Sequence, residues 1–225
     1  MNLKKRLLKK SHLYVLIDKE VLRTRGSVFN TVNKIKDLGI DIIQLRDKTS
    51  DKTTILKNAY ALRELLSNTK TIFIVNDYLD IAKIVDSDGI HLGQGDVPIE
   101  IARVLLGEDK IIGISCHNLK QAIIAQNKGA DYISIGPVFS TATKPDYKPV
   151  GLGLIRKASK KIKIPFFAIG GINQKNINQV LSAQAKRVAI CRAIWQAKDI
   201  SSLTTRFTNF YSAEYSALRK PEALA

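Results

Sequence analysis

Arg46 and Lys48 alternate along the exit from the apolar run Ile42-Ile43-Gln44-Leu45. An arginine and a lysine together suit a phosphate or diphosphate, the first as a planar fork of donors, the second as a point charge. The same two residues also make ordinary rim salt bridges. Further along, Asn76-Asp77 closes one apolar segment, and His91, Gln94 and Asp96 follow the next. If those two segments are neighbouring strands, Asp77 and Asp96 converge on one point. Mg²⁺ is commonly held by one or two carboxylates together with substrate phosphates and water. A plain ion pair, or a helix cap at Asp77, is the alternative.

Four more groups complete the set. Ser115 ends Gly113-Ile114-Ser115-Cys116-His117 and can donate to a phosphate, whereas His117 reads equally as a base, a ligand or the start of a helix. Thr141-Ala142-Thr143-Lys144 adds two hydroxyls and a cation on a long irregular connection, Pro137 to Gly151. It reads as a phosphate clamp able to close over substrate, or as a surface loop shaped by its prolines. Gly170-Gly171-Ile172-Asn173 lets backbone N–H groups approach an anion before a helix, and Arg192 follows the last apolar run. Together these residues describe a metal-assisted enzyme with two phosphorylated ligands, one anion site having the metal and the other lacking it.

The elements that must position them repeat. Gly39, Gly89 and Gly129 each stand where a helical stretch gives way to a short strand that is apolar on both faces and polar at its tip. Eight such strands are predicted, at Leu13–Ile17, Ile42–Leu45, Ile72–Val75, Gly89–Leu92, Ile111–Ile114, Tyr132–Ile135, Phe166–Ile169 and Val188–Ile190. Helix-compatible stretches alternate with them: Asp51–Leu66, Pro98–Leu106, Leu119–Lys128, Gln174–Ala183 and Ser201–Leu218. Pro98 suits a first helical turn, and Asn173 suits an N-cap. This alternation defines an α/β chain folded as a single (β/α)8 TIM barrel, with chemistry at the strand ends. Residues 1–12 read as a basic N-terminal extension, 13–218 as the barrel and 219–225 as a C-terminal tail. The cluster Lys4-Lys5-Arg6 with Lys9-Lys10 fits a short helical cap on the barrel floor.

The 225 residues carry a net charge of +16, from 36 Lys and Arg against 20 Asp and Glu. The lysines are spread along the chain with no interleaved aromatic patch, which argues against nucleic acid and for a solvated surface or anionic small-molecule substrates. No apolar run has the length of a membrane span or a signal-peptide core, so a cytoplasmic location is expected. Cys116 and Cys191 form no metal or disulfide pattern and read as two small, largely buried residues.

The runs Gln44-Leu45-Arg46-Asp47-Lys48, Val75-Asn76-Asp77, Asp88 to Asp96, Gly113-Ile114-Ser115, Gly136 to Phe139 with Thr141 to Lys144, and Ala168 to Ile172 resemble thiamine-phosphate synthases, over roughly Leu13 to Ala197. That resemblance implies a transferase joining 4-amino-5-hydroxymethyl-2-methylpyrimidine diphosphate to a thiazole phosphate, with Mg²⁺ as cofactor and thiamine monophosphate and diphosphate as products. It implies Asp77 and Asp96 as metal ligands, and Arg46, Lys48, Asn76, Ser115 and Lys144 on the diphosphate. Gln44 and His91 would border the pyrimidine; Thr141, Thr143 and Gly171 would contact the thiazole phosphate. In that family the reaction passes through a pyrimidine-methyl cation, which makes the Pro137–Gly151 loop a natural lid against water. Barrels of this class often self-associate, so a homo-oligomer is compatible with the resemblance. Two positions depart from the family pattern. Arg192 stands where a small residue or serine is common, and Gly95 where an acidic one is. The competing expectations are a thiazole tautomerase-like isomerase, which would use His117 and no metal pair, and a non-catalytic regulator that binds thiazole phosphate.

Overall fold

A computed structural model of the chain describes residues 2–22, 27–143 and 147–218, with side chains through 209. Its eight strands are β1 (Leu13–Asp18), β2 (Ile42–Arg46), β3 (Ile72–Asn76), β4 (Gly89–Leu92), β5 (Ile111–Cys116), β6 (Tyr132–Ile135), β7 (Phe166–Ile169) and β8 (Val188–Ile190). Each pairs in parallel with the next, and β8 pairs with β1, so the sheet closes into a barrel in sequence order. Outside it run α2 (Val28–Asn33), α3 (Lys52–Leu66), α4 (Leu79–Ile84), α5 (Ile99–Leu106), α6 (Leu119–Asn127), α7 (Gly151–Lys161), α8 (Ile177–Ser182), α9 (Arg192–Trp195) and α10 (Ile200–Leu218). No helix among the described residues is long and apolar enough to cross a membrane.

Two apolar layers follow from the period-2 alternation of the strands. Val15, Ile43, Phe73, Ile90, Ile112 and Ile133 point outward and pack against the helices. Tyr14, Ile42, Ile72, Ile74, Ile111, Tyr132, Phe167 and Ala189 point inward and fill the barrel. Three rings dominate the inner layer. Tyr14, Tyr132 and Phe167 meet edge to face, with centroids 5.3–5.8 Å apart. Gly113 makes room for them: a Cβ there would lie 2.0 Å from Tyr132 Cζ.

The helix-to-strand joints share a second device. Asp41 accepts the amides of His12 and Leu13, Asp88 accepts that of Phe73, and Asp131 accepts that of Ile112. An aspartate leading each of β2, β4 and β6 therefore satisfies the open N–H at the start of the preceding strand. Gly39 and Gly129 do turn left-handed, with φ of +75° and +86°. Gly89 does not. The left-handed residue there is Asp86, and Gly89 is small because Ile111 O would sit 2.1 Å from a Cβ.

The basic N-terminal segment acquires a place. Leu3–Lys10 forms α1, capped by Asn2, whose side chain accepts the Lys5 amide. Leu8 is buried in the inner layer, Lys4 Nζ donates to Thr71 O at 2.7 Å and pairs with Asp88, and Lys5 pairs with Asp131 at 2.8 Å. The helix closes the floor of the barrel, at the end away from the strand tips. The expected C-terminal tail, 219–225, falls outside the described residues.

Candidate functional site

At the C-terminal ends of the strands lies a cavity of about 340 Å³, walled by every strand of the barrel and by the loop after β6. Its size falls within the range of small-molecule sites. Gln44, Arg46, Asn76, His91, Ser115, Thr141, Thr143, Gly171 and Arg192 all line it. Lys48, Asp77 and Asp96 form an adjoining cluster. Lys144 lies outside the described residues.

The first wall comes from β1 to β3. Arg46, at the end of β2, is ion-paired with Asp18 at the end of β1, its partner in the sheet register. Asp18 is 1% exposed, so the guanidinium is anchored from beneath by a buried carboxylate. Asp47 turns the chain after β2. Its Oδ1 accepts the amides of Thr49 and Ser50 at 3.0 and 2.9 Å. Although burial pushes the other way, those bonds hold its carboxyl below the usual range.

The carboxylate pair stands where adjacent strands place it. Asn76 pairs with His91 in the β3–β4 register, and Asp77 N donates to His91 O at 2.9 Å. Asp77 adopts a left-handed backbone, φ +61°, which is uncommon for a residue with a side chain and is found at functional sites. Lys48 Nζ donates to Asp77 Oδ2, and Asp96 Oδ2 accepts the Gly93 amide at 2.5 Å. The two carboxyl groups are themselves within hydrogen-bonding reach. Burial, opposed by Lys48 and reinforced by Asp96, holds Asp77 above the usual carboxylate range. Asp96 is held below it, because the Gly93 amide, Asp77 and the Lys48 charge outweigh its burial. The pair presents adjacent carboxylate oxygens at one point, an arrangement suited to an oxygen-seeking divalent cation. Asp77 does not cap a helix: Tyr78 holds the position before α4.

The opposite wall is backbone and hydroxyls. Gly170 and Gly171 have φ of +99° and +66°, and neither tolerates a side chain: a Cβ on Gly170 would meet Pro137 at 2.4 Å, and one on Gly171 would meet Ser140 O at 2.6 Å. Val138 N donates to Ile169 O and Phe139 N to Gly170 O, so the loop after β6 extends the β7 ladder past the barrel. Val150 N returns to Pro137 O at 2.8 Å. The Pro137–Gly151 connection is therefore pinned at its neck, and its residues 140–143 line the cavity. Asn173 does not cap the following helix. Its Oδ1 accepts the Lys175 amide in a turn, and α8 begins only at Ile177, after Asn176. What the Gly170-Gly171 corner offers is backbone, not the start of a long helix. Arg192 opens the one-turn α9, and its Nε is buried with no hydrogen-bond partner. Cys191 lies just past β8 rather than in it, and burial pushes its thiol up to about 12, as it does that of Cys116.

The floor was not visible in the sequence. Tyr14, Tyr132 and Ser134 lie in predicted strands, and nothing in the sequence marks them as site residues. In the structure Gln44 Nε2 donates to the Tyr14 hydroxyl, the two tyrosine hydroxyls lie 2.9 Å apart, and Tyr132 is 2.9 Å from His91 Nδ1. His91 Nε2 lies 3.0 Å from Ser115 Oγ and 3.3 Å from Ser134 Oγ. Burial raises both phenol pKa values far above their ordinary value, so both hydroxyls keep their protons. His117 belongs to the wall. Its Nδ1 sits 2.6 Å from Gly136 O, its amide donates to Gln121, and Asn118 caps α6 after it.

Fold and site together define a (β/α)8 barrel with a cavity of small-molecule size at its mouth, set between an arginine–lysine–carboxylate corner and a glycine–hydroxyl corner. A family model described as thiamine monophosphate synthase matches residues 13–194. A thiamine-phosphate synthase of Shouchella clausii is 46% identical over 165 residues, which is 73% of this chain and 79% of that protein. One from Prochlorococcus marinus is 42% identical over 188 residues, and the chain spans about half the length of that longer relative. The solved thiamine phosphate pyrophosphorylase of Pyrococcus furiosus superposes with a TM-score of 0.82 at 33% identity, covering 94% of this chain and 98% of that one. The chain belongs to the thiamine monophosphate synthase family.

Proposed function

We propose that the chain joins 4-amino-5-hydroxymethyl-2-methylpyrimidine diphosphate to a thiazole phosphate, releasing thiamine monophosphate and diphosphate. The observation that carries this reading is the pairing of two anion-binding corners across one cavity. Arg46 and Lys48 adjoin Asp77 and Asp96 on one side, and Gly170-Gly171, Thr141, Thr143 and Arg192 stand on the other. A diphosphate and a monophosphate bound at these corners bring the two rings together between them.

The donor set fits Mg²⁺: two adjacent carboxylates, one of them partly buried and held above the usual carboxylate range by that burial. Asp77 and Asp96 would hold it, and bound there it would neutralise charge on the diphosphate oxygens. The chain's own residues do the rest. Arg46, fixed by Asp18, and Lys48 grip the diphosphate as the bond from its bridging oxygen to the pyrimidine methylene carbon breaks and the electron pair leaves with it. Ser115 and Asn76 add neutral donors at the same corner. Gln44 and His91 orient the pyrimidine above the tyrosine floor. The thiazole phosphate, held by Gly171, Thr141, Thr143 and Arg192, presents its ring nitrogen to the electron-poor methylene carbon and forms the new C–N bond. No side chain serves as nucleophile. The apolar walls and the loop after β6 exclude the water that would compete. His117, the acid–base group an isomerase would need, is engaged through Nδ1 with the Gly136 carbonyl.

Asp96→Ala tests the assignment of the carboxylate pair. Turnover is expected to fall at least about a thousandfold with an unchanged melting profile. A variant with a near-normal rate that is still suppressed by a chelator would remove Asp96 from the metal site.

A further inference from the structure

At the end of the barrel opposite the substrate cavity, a trough of about 1010 Å³ opens beside α1. The last turns of α1 and α7, the lead-ins to β6 and β7, and the turn before β8 bound it. Six of the side chains that line it are cationic, Lys5, Lys9, Lys160, Lys163, Lys186 and Arg187, and one is anionic, Asp131, for a net charge of +5. Asp131 is already committed, to Lys5 at 2.8 Å and to Arg103 at 2.5 Å. Among the described residues, Lys9, Lys160, Lys163 and Lys186 have no carboxylate within ion-pairing distance. A helix C-terminus carries about half a negative charge, and α1 and α7 both end here. The two termini offset about one unit, so about four positive charges remain without a counter-charge.

The backbone that carries these cations is pinned. Arg187 Nη2 donates to Lys9 O at 2.8 Å, His12 Nδ1 lies 3.0 Å from Lys186 O, and Lys163 N donates to Gln126 Oε1 at 2.7 Å. The exposed ammonium groups therefore surround a fixed frame, whose surface between them is apolar, from Leu8, Ile164 and Pro165. We propose that this trough is a second anion site, separate from the substrate cavity, and that it takes a chain of condensed phosphates, free or carried on a nucleoside. Each phosphate brings about one to two negative charges, so three in a chain match the uncompensated cations and a single one does not. Lysines suit such a chain, because each is a compact point charge that needs no fixed fork geometry. A nucleic-acid strand would need rings to stack on, and the one aromatic side chain among the described lining residues, Phe166, is buried. Because the trough opens at the N-terminal ends of β6, β7 and β8, its ligand does not displace substrate. It ties α1 to the lead-ins of those strands. The inference is independent of the proposed synthase activity.

The test is isothermal titration of the full chain at low salt, without divalent metal, using inorganic triphosphate, ATP and inorganic phosphate as probes. Lys163→Glu and Lys186→Glu alter the trough, and Arg46→Ala alters the substrate cavity. Triphosphate and ATP are expected to bind, and each trough variant is expected to weaken that binding about tenfold or more without changing the melting temperature of the unliganded chain. Arg46→Ala should leave it in place. In that background, triphosphate at a hundredfold excess over its Kd should raise the melting temperature by about 5–10 °C. Equal affinity for triphosphate and ATP would identify the phosphate chain as the whole ligand, and tighter binding of ATP would add a contact of its ring with the apolar surface. Binding unchanged in both trough variants, or lost in Arg46→Ala, overturns the proposal. So does inorganic phosphate binding as tightly as triphosphate. Single-stranded RNA that binds at the same salt and is not displaced by triphosphate would assign the trough to nucleic acid and overturn it too.

Discussion

Replacing Gly113 by alanine puts a methyl carbon 2.0 Å from Tyr132 Cζ, 2.3 Å from Cε1 and 2.4 Å from the hydroxyl oxygen. Carbon atoms rest about 3.5–4 Å apart, so the ring has to move by about 1.5 Å. Tyr14 and Phe167 stand against it edge to face, and Tyr132 is fully buried. Forcing an extra methyl into such a core costs about 1–3 kcal/mol. A shift of that size also takes the hydroxyl out of range of Tyr14 and His91, both at 2.9 Å, which adds about 1 kcal/mol for each bond. The sum is about 3–5 kcal/mol, or a melting temperature lower by roughly 6–20 °C for a chain of this size. Urea titration followed by circular dichroism, with thermal scans beside it, measures the change. In a Tyr132→Leu background the methyl has space, and the added cost of Gly113→Ala should fall below about 1 kcal/mol, a coupling read from the double-mutant cycle. A melting temperature for Gly113→Ala within about 2 °C of wild type would refute the placement of the ring.

Asp18→Asn removes the buried anion beneath Arg46 and is expected to raise KM for the pyrimidine diphosphate about tenfold or more, with KM for the thiazole phosphate unchanged in steady-state assays. Equal effects on both substrates would show that the pair only stabilises the barrel. Arg192→Ala should act on the other side, weakening thiazole phosphate about tenfold and sparing the pyrimidine diphosphate; isothermal titration with thiazole phosphate alone would expose a null effect. Asp47→Ala tests a pH dependence. The folded-state pKa of Asp47 is depressed, so its contribution of about 1–2 kcal/mol is present above the ordinary carboxylate range and disappears as pH falls through the folded value. The stability gap between variant and wild type, from urea titrations, is therefore expected at neutral pH and should close under acid; a gap that persists there would assign the loss to packing.

Much of this architecture was legible because chemistry and folding mark the same places in a barrel. Each strand is a short apolar run, and the polar residues that end it, such as Arg46 after Leu45 or Asp77 after Val75, stand out against it. The alternation of eight such runs with helices left one closed topology. What escaped the sequence depends on contacts across the barrel. Tyr14 and Tyr132 lie 118 residues apart and look like core residues, because an inward tyrosine shows its hydroxyl partner only once the strands are in register. Asp18 reads as the ragged end of β1 until β2 places Arg46 beside it. Gly113 resembles any strand glycine, and only the Tyr132 ring explains it. Asn173 was misplaced as a cap because its side chain suits a turn equally well, and the turn prevailed. The basic first residues read as a helical cap on the barrel floor, and only the packed structure shows that Leu8 is the side chain buried there.

The central claim is that the two anion-binding corners serve one condensation. The direct measurement is to incubate the chain with the pyrimidine diphosphate, the thiazole phosphate and Mg²⁺, with and without chelator, and to follow thiamine monophosphate and diphosphate together. Equal, chelator-sensitive release of both products is the expected result. Folded protein that binds both substrates and forms neither product would contradict it.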